Sequence, residues 1–128
     1  MPRSPSKPRN RPSGERKFAE GAGRRGEFWA ELFLRAQLYS VLARRVKTPV
    51  GEIDLIVTRG GVTVFVEVKA RSFSHQEYDA LMAVNRRRIV NAAQMWLMRR
   101  PELAAGDLRF DVIFLAPFAW PRHIVGAF

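Results

Sequence analysis

The chain has 128 residues, enough for one domain with a real core, and 47% of them are hydrophobic. It contains no cysteine, which excludes disulfides, thiolate metal sites and cysteine nucleophiles and accords with a reducing, cytoplasmic setting. A net charge of +10 favours a polyanionic partner, because neutralising phosphates releases condensed counterions.

That charge is concentrated early: residues 1–25 hold eight Lys and Arg against two Glu. Residues 1–21 carry almost no aliphatic side chains and several prolines, so they are expected to form a flexible basic arm ahead of a domain spanning residues 22–128. The Arg/Pro/Ser-rich start lacks the apolar core of a secretory signal. Nucleic acid is the leading partner. An anionic membrane is the weaker reading, since no amphipathic basic helix accompanies the arm, and the longest apolar runs, such as Val62 to Val66, are too short to span a bilayer.

Glu27 to Leu38 has apolar residues at 30, 33, 34 and 38, the spacing of a helix packed on one side, with acids in its first turns. Tyr39 to Val46 reads as a first strand, ended by Thr48-Pro-Val-Gly51, and Glu52 to Thr58 as a second. Gly60-Gly61 predicts a hairpin turn into a third strand, Val62 to Ala70, rich in β-branched residues. A polar loop, Ser72 to Gln76, precedes a long helix from about Glu77 to Arg99, with apolar residues at 81, 84, 89, 92/93, 96 and 97, stopped by Pro101. Leu108 to Leu115 is a fourth strand, and Ile124 to Phe128 adds a short terminal piece. The order α-β-β-β-α-β predicts an α/β fold, a mixed sheet flanked by helices.

Asp54 sits within the second strand, and Glu67 and Lys69 within the third. Alternation puts Glu67 and Lys69 on one face. Charges inside apolar strands are costly unless they pair or bind a cation, and the hairpin brings Asp54 toward Glu67. Two converging carboxylates suit Mg²⁺ or Mn²⁺, and Lys69 beside them could orient a water or stabilise charge on a phosphate. Glu27 on the first helix is a candidate third acid, with Glu31 one turn later as its rival. The competing reading is plain: a Glu-x-Lys on a strand is most often a surface ion pair worth little. The spacing of all four residues over a helix and two apolar strands raises the chemical reading to stand level with that one, and both stay open on the residues alone. Arg86, Arg87 and Arg88 are candidate phosphate contacts against a solvated helix face. His75 and His123 have no ligand spacing and are assigned no metal; Trp29, Trp96, Met95 and Met98 are read as core.

Gly23-Arg-Arg-Gly-Glu27, Gly51-Glu-Ile-Asp-Leu-Ile56, Val64-Phe-Val-Glu-Val-Lys-Ala-Arg71, Arg109-Phe-Asp-Val112 and the ending from His123 to Phe128 together resemble the YraN-type family, a widespread bacterial family predicted to hold nuclease-like proteins. The resemblance covers roughly residues 23–128. It implies the restriction-endonuclease-like PD-(D/E)xK fold, distantly similar to archaeal Holliday junction resolvases. By the same resemblance Asp54 and Glu67 are metal ligands, Lys69 is the active-site lysine and Glu27 an accessory acid; Arg71 joins Arg86, Arg87 and Arg88 as a candidate nucleic-acid contact. The expected activity is Mg²⁺- or Mn²⁺-dependent phosphodiester hydrolysis, on DNA ahead of RNA and with branched DNA as one substrate. The alternative is a non-catalytic nucleic-acid-binding module on the same scaffold. The family commonly places a lysine where this chain has Asn85-Arg-Arg-Arg88, and the arm lies outside the match. Symmetric cutting of two strands would call for a homodimer, for which the sequence offers no direct sign.

Overall fold

The computed structural model describes the backbone of residues 13–70 and 75–128. Its elements are α1 (Ser13–Ala36), β1 (Ser40–Thr48), β2 (Gly51–Arg59), β3 (Val62–Lys69), α2 (His75–Leu97), α3 (Pro101–Ala104), β4 (Asp107–Phe114) and β5 (Arg122–Ile124). The α-β-β-β-α-β order is present, with the one-turn α3 added after Pro101 and β5 edging the sheet.

α1 starts at Ser13, far ahead of Glu27, so residues 13–21, assigned to the arm on sequence, lie in this helix; residues 1–12 are outside the described residues. Pro12 precedes Ser13, and Glu15 to Ala19 are mostly good helix formers, which outweighs their lack of aliphatic groups. The helix stops in a Schellman turn. Tyr39 N–H donates to Leu34 O (3.1 Å), Leu38 N–H to Arg35 O (2.9 Å), and Leu38 takes a positive φ of 72°. Leu38 is therefore expelled to 81% exposure rather than completing the buried stripe.

The sheet order is β1-β2-β3-β4-β5, antiparallel except for the parallel pair β3–β4, which α2 and α3 connect. Gly60 (φ 60°) and Gly61 (φ 81°) both take positive φ between the paired Arg59 and Val62, the turn that two-residue hairpins favour. α1 covers one face, where Ala30 and Leu34 pack with Leu55, Val57, Val64, Val66 and Ile113. α2 covers the other, where Ala92, Ala93, Trp96 and Leu97 pack with Ile53, Ile56 and Phe65. Ile89 joins Val112 and Phe114 in a third cluster closed by Ile124, Ala127 and Phe128. Trp96 is core as expected, but Trp29, Met95 and Met98 are exposed. Trp29 sits one residue, about 100° of helical rotation, before buried Ala30, and Met98 falls beyond the end of α2.

Candidate active site

The site is built where β2 parts from its neighbours. Leu55↔Val66 is the last pair of the β2–β3 ladder. On the other side β1 pairs Arg44 with Leu55 and Val46 with Ile53, leaving Arg45 and Asp54 out. Among the described residues of β2, Asp54 alone has a register partner on neither side. Continuing the hairpin register would set Ile53 opposite Val68; instead the Val68 N–H donates to Asp54 Oδ2 at 2.8 Å. A carboxylate thus takes over from a backbone acceptor at the mouth of the split hairpin.

Glu67 would stand opposite Asp54 in that register. Its Oε2 is 2.9 Å from Lys69 Nζ, and both side chains are about five-sixths buried. Burial, followed by the negative charge of Glu67, pushes the Asp54 carboxyl up to about 7, against the opposing Val68 hydrogen bond; the charge of Glu27 adds to the rise. Asp54, Glu67 and Lys69 line a cleft of about 260 Å³ together with Glu52, Asn85, Arg88 and Ile89.

The two acids of α1 are separated by their partners. Arg45 takes a positive φ (50°), a strained conformation for a non-glycine residue, and it breaks the alternation of β1. Consecutive arginines then both reach α1: Arg45 Nε donates to Glu27 Oε1 (2.7 Å), and Arg44 makes a two-point contact with Glu31 (2.7 Å each). Hydrogen bonds from Arg44, ahead of those from Arg35, hold Glu31 down near 2, in a structural ion-pair cluster. Glu27, not Glu31, is the α1 acid whose field reaches Asp54.

The arginine run divides in the same way. Arg88 lines the cleft, whereas Arg86 lies over the Phe128 ring at 5.8 Å and Arg87 is exposed and does not line it. Gly51 explains how α2 gets so close: a Cβ there would stand 2.7 Å from Arg88 O. Arg71 lies outside the described residues, as does the loop start at Ser72, and the side chain of His75 is likewise undescribed.

Glu52 and Asn85 were missed on sequence. Glu52 had a signal, because period-two alternation from Asp54 puts it on the same face. Asn85 was marked only as a departure from the family's lysine, and the packing of α2 against β2 is what brings it to the cleft.

A second polar cluster lies on the α1 face of β4. Asp111 is fully buried and accepts a fork from Arg109 (Nε to Oδ1 2.9 Å, Nη2 to Oδ2 2.8 Å) and the Gly126 N–H (2.9 Å). His123 Nε2 lies 2.8 Å from its Oδ2, and Arg109 also donates to Tyr39 Oη (2.7 Å). Burial raises this carboxyl, but the hydrogen bonds from His123, Arg109 and Gly126 outweigh it and hold it near 2. The cluster ties the chain end to the sheet and gives His123 a structural partner.

Among the described residues no group of three or more His, Asp or Glu has metal-cage geometry. Asp54 and Glu67 instead make a two-carboxylate, hard-oxygen set, which fits a small divalent cation that keeps several waters.

The chain was also compared with known proteins. A "UPF0102 protein" of Rhodopseudomonas palustris (strain BisA53) is 42% identical over 125 residues, covering 98% of this chain and 94% of the relative. "UPF0102 protein mlr4633" of Mesorhizobium japonicum is 43% identical over 118 residues, 92% of this chain and 94% of the relative. A "UPF0102 protein" of Parvibaculum lavamentivorans is 49% identical over 105 residues, 82% of this chain and 79% of the relative. Residues 26–115, which include Glu27, Asp54, Glu67, Lys69, Arg88 and Asp111, match the family profile described as "Uncharacterised protein family UPF0102". The profile spans the central motifs that pointed to the YraN-type family and the relatives cover most of the chain, which belongs to the UPF0102 family.

Proposed function

We propose that the protein is a metal-dependent endonuclease that binds nucleic acid, DNA ahead of RNA, and hydrolyses phosphodiester bonds in the cleft between β2, β3 and α2. The observation that carries this reading is the convergence of Asp54 and Glu67 where both ladders of β2 are interrupted, with Asp54 pushed up to about 7. A structural ion pair would be arranged to lower that value, as at Asp111. A site that keeps two acids together against their repulsion is suited to a cation.

Asp54 and Glu67 would hold Mg²⁺ or Mn²⁺. The chemistry such a cation supplies is charge neutralisation at the scissile phosphate and a more acidic water. The Val68 N–H fixes one oxygen of Asp54, whose carboxyl also faces Glu67 across the cleft. Glu67 holds the Lys69 ammonium beside the reacting centre, where it can donate to a phosphate oxygen or orient the attacking water. Arg88 offers a guanidinium to the backbone phosphate from the opposite wall. Glu27, restrained by Arg45, adds negative field that strengthens cation binding. The net charge of +10 supports long-range attraction of the polymer. Among the described residues no helix is long and apolar enough to cross a membrane.

The decisive experiment incubates wild type and Glu67→Gln with single-stranded, duplex and branched DNA and with RNA, in Mg²⁺, Mn²⁺ or EDTA. Cleavage by wild type with metal, lost in EDTA and reduced roughly 100-fold or more in the variant, is the expected result. Salt-dependent binding with equal, background cleavage by both proteins would leave a binding module instead.

A further inference from the structure

An apolar groove of about 760 Å³ runs between α1 and the connection from β4 to β5. Trp29, Leu32 and Phe33 form one wall, and Leu115, Trp120 and Pro121 the other. Trp29 is 58% exposed and Trp120 89%, so two of the chain's three tryptophans are largely open to solvent. The neighbouring Phe118 is fully exposed at a positive φ of 59°, a conformation a bulky side chain adopts at a cost.

The groove opens on the α1 face at the same end of β3 as the acidic cleft, which α2 lines on the other face. Ala70, which lines it, directly follows Lys69, and Gly26, which also lines it, directly precedes Glu27. Gly26 lies close to Leu115 and Ala70, so the base of the groove is made by the same strand ends that carry the site. Arg25 borders it, and Arg24 precedes Arg25 in the sequence. A patch with exposed indoles, an arginine at the rim and a phosphate-seeking cleft at the same strand end matches one occupant best: an aromatic ring attached to a polyanion.

We propose that this groove receives an unpaired nucleobase of the nucleic acid whose backbone enters the cleft, so the preferred substrate is single-stranded at the point of attack. This rests on the nucleic-acid reading above and narrows it. Stacking between indole and base tolerates any sequence, because every base has a π-face, and the phosphates of the same strand remain free for Arg88 and Lys69. In a continuous duplex the base is already stacked and paired, and unstacking it opposes binding.

The test is a fluorescence titration of the full chain in EDTA, where cleavage does not proceed. Trp96 is buried, so changes in emission report Trp29 and Trp120. The titrants are a thymidine homopolymer, an abasic strand of equal length and charge, and a duplex. The thymidine strand should quench emission and bind at least about fivefold more tightly than the abasic one. Trp120→Ala should abolish that preference with an unchanged melting temperature, since the side chain is almost wholly in solvent. Equal affinity of wild type for the thymidine and abasic strands would overturn the proposal. So would a Trp120→Ala protein that keeps the preference, or one that loses only a dimer seen by sedimentation, which would assign the groove to a second copy of the chain. A base preference retained in Glu67→Gln, with no cleavage by either protein, would sink the hydrolysis reading but not this one. Equal cleavage of single strand and duplex, without base preference, would do the reverse.

Discussion

Asp54 and Asp111 are both aspartates in apolar strands of one sheet, yet their surroundings push them in opposite directions. At Asp111 four donors converge on two oxygens: a guanidinium fork, an imidazole and a backbone N–H. At Asp54 one backbone N–H faces the combined effect of burial and two neighbouring carboxylates. The first arrangement is complete without a ligand. The second leaves its carboxyl raised to about 7, and that difference separates a structural carboxylate from a candidate catalytic one more clearly than burial does.

The largest expected effect comes from breaking the completed cluster. Asp111→Asn should cost about 3 kcal/mol in urea denaturation, because Arg109 keeps its charge and loses its partner. If metal-free Asp54→Asn loses as much, the contrast fails. Mn²⁺ sharpens it from the other side. At about a hundred times its dissociation constant, Mn²⁺ should stabilise wild type by about 2.7 kcal/mol. Calorimetry and melting curves should show that gain absent in Asp54→Asn and retained in Lys69→Ala.

The pH dependences should have opposite slopes. Asp111 is depressed to about 2, so its contribution is present above the ordinary carboxylate value and is lost as pH falls toward 2, roughly 2 kcal/mol in all. Asp54 is raised to about 7, so the folded state holds its proton and stability falls as pH rises from about 4 through 7. In EDTA, Asp54→Asn should therefore melt higher than wild type near pH 8 and show no such gain near pH 4.

Gly51→Ala should lose about 1–3 kcal/mol, since its methyl would meet the α2 backbone at Arg88 O, and nucleic-acid affinity should fall with it as Arg88 shifts. The smallest change belongs to Glu31→Gln. Its ion pairs with Arg35 and Arg44 lie at the surface, so a loss below about 1 kcal/mol, with unaltered Mn²⁺ binding, is expected. Glu27→Gln should instead weaken Mn²⁺ binding, which the same titration reads.

Local pattern determined a large part of this molecule. Alternation of β-branched residues set β2 and β3, Gly60-Gly61 set their hairpin, and counting outward from that turn already puts Asp54 opposite Glu67. These relations act over a few residues, so periodicity reveals them. Tertiary structure decided the rest. Leu38 obeys the helical spacing of its neighbours and is still expelled, because the chain turns back after Ala36. Glu27 and Glu31 are equivalent along the helix, and only the positive φ of Arg45 allots one to the edge of the site and the other to a surface cluster. Of three consecutive arginines, the approach of α2 at Gly51 selects Arg88. Trp29 and Trp120 are more than ninety residues apart and meet across one groove only once α1 and the β4–β5 connection are folded side by side. Residue identity supplied the chemistry available to each position; which charges are answered, and which are left waiting for a partner, depends on groups brought together from distant parts of the chain.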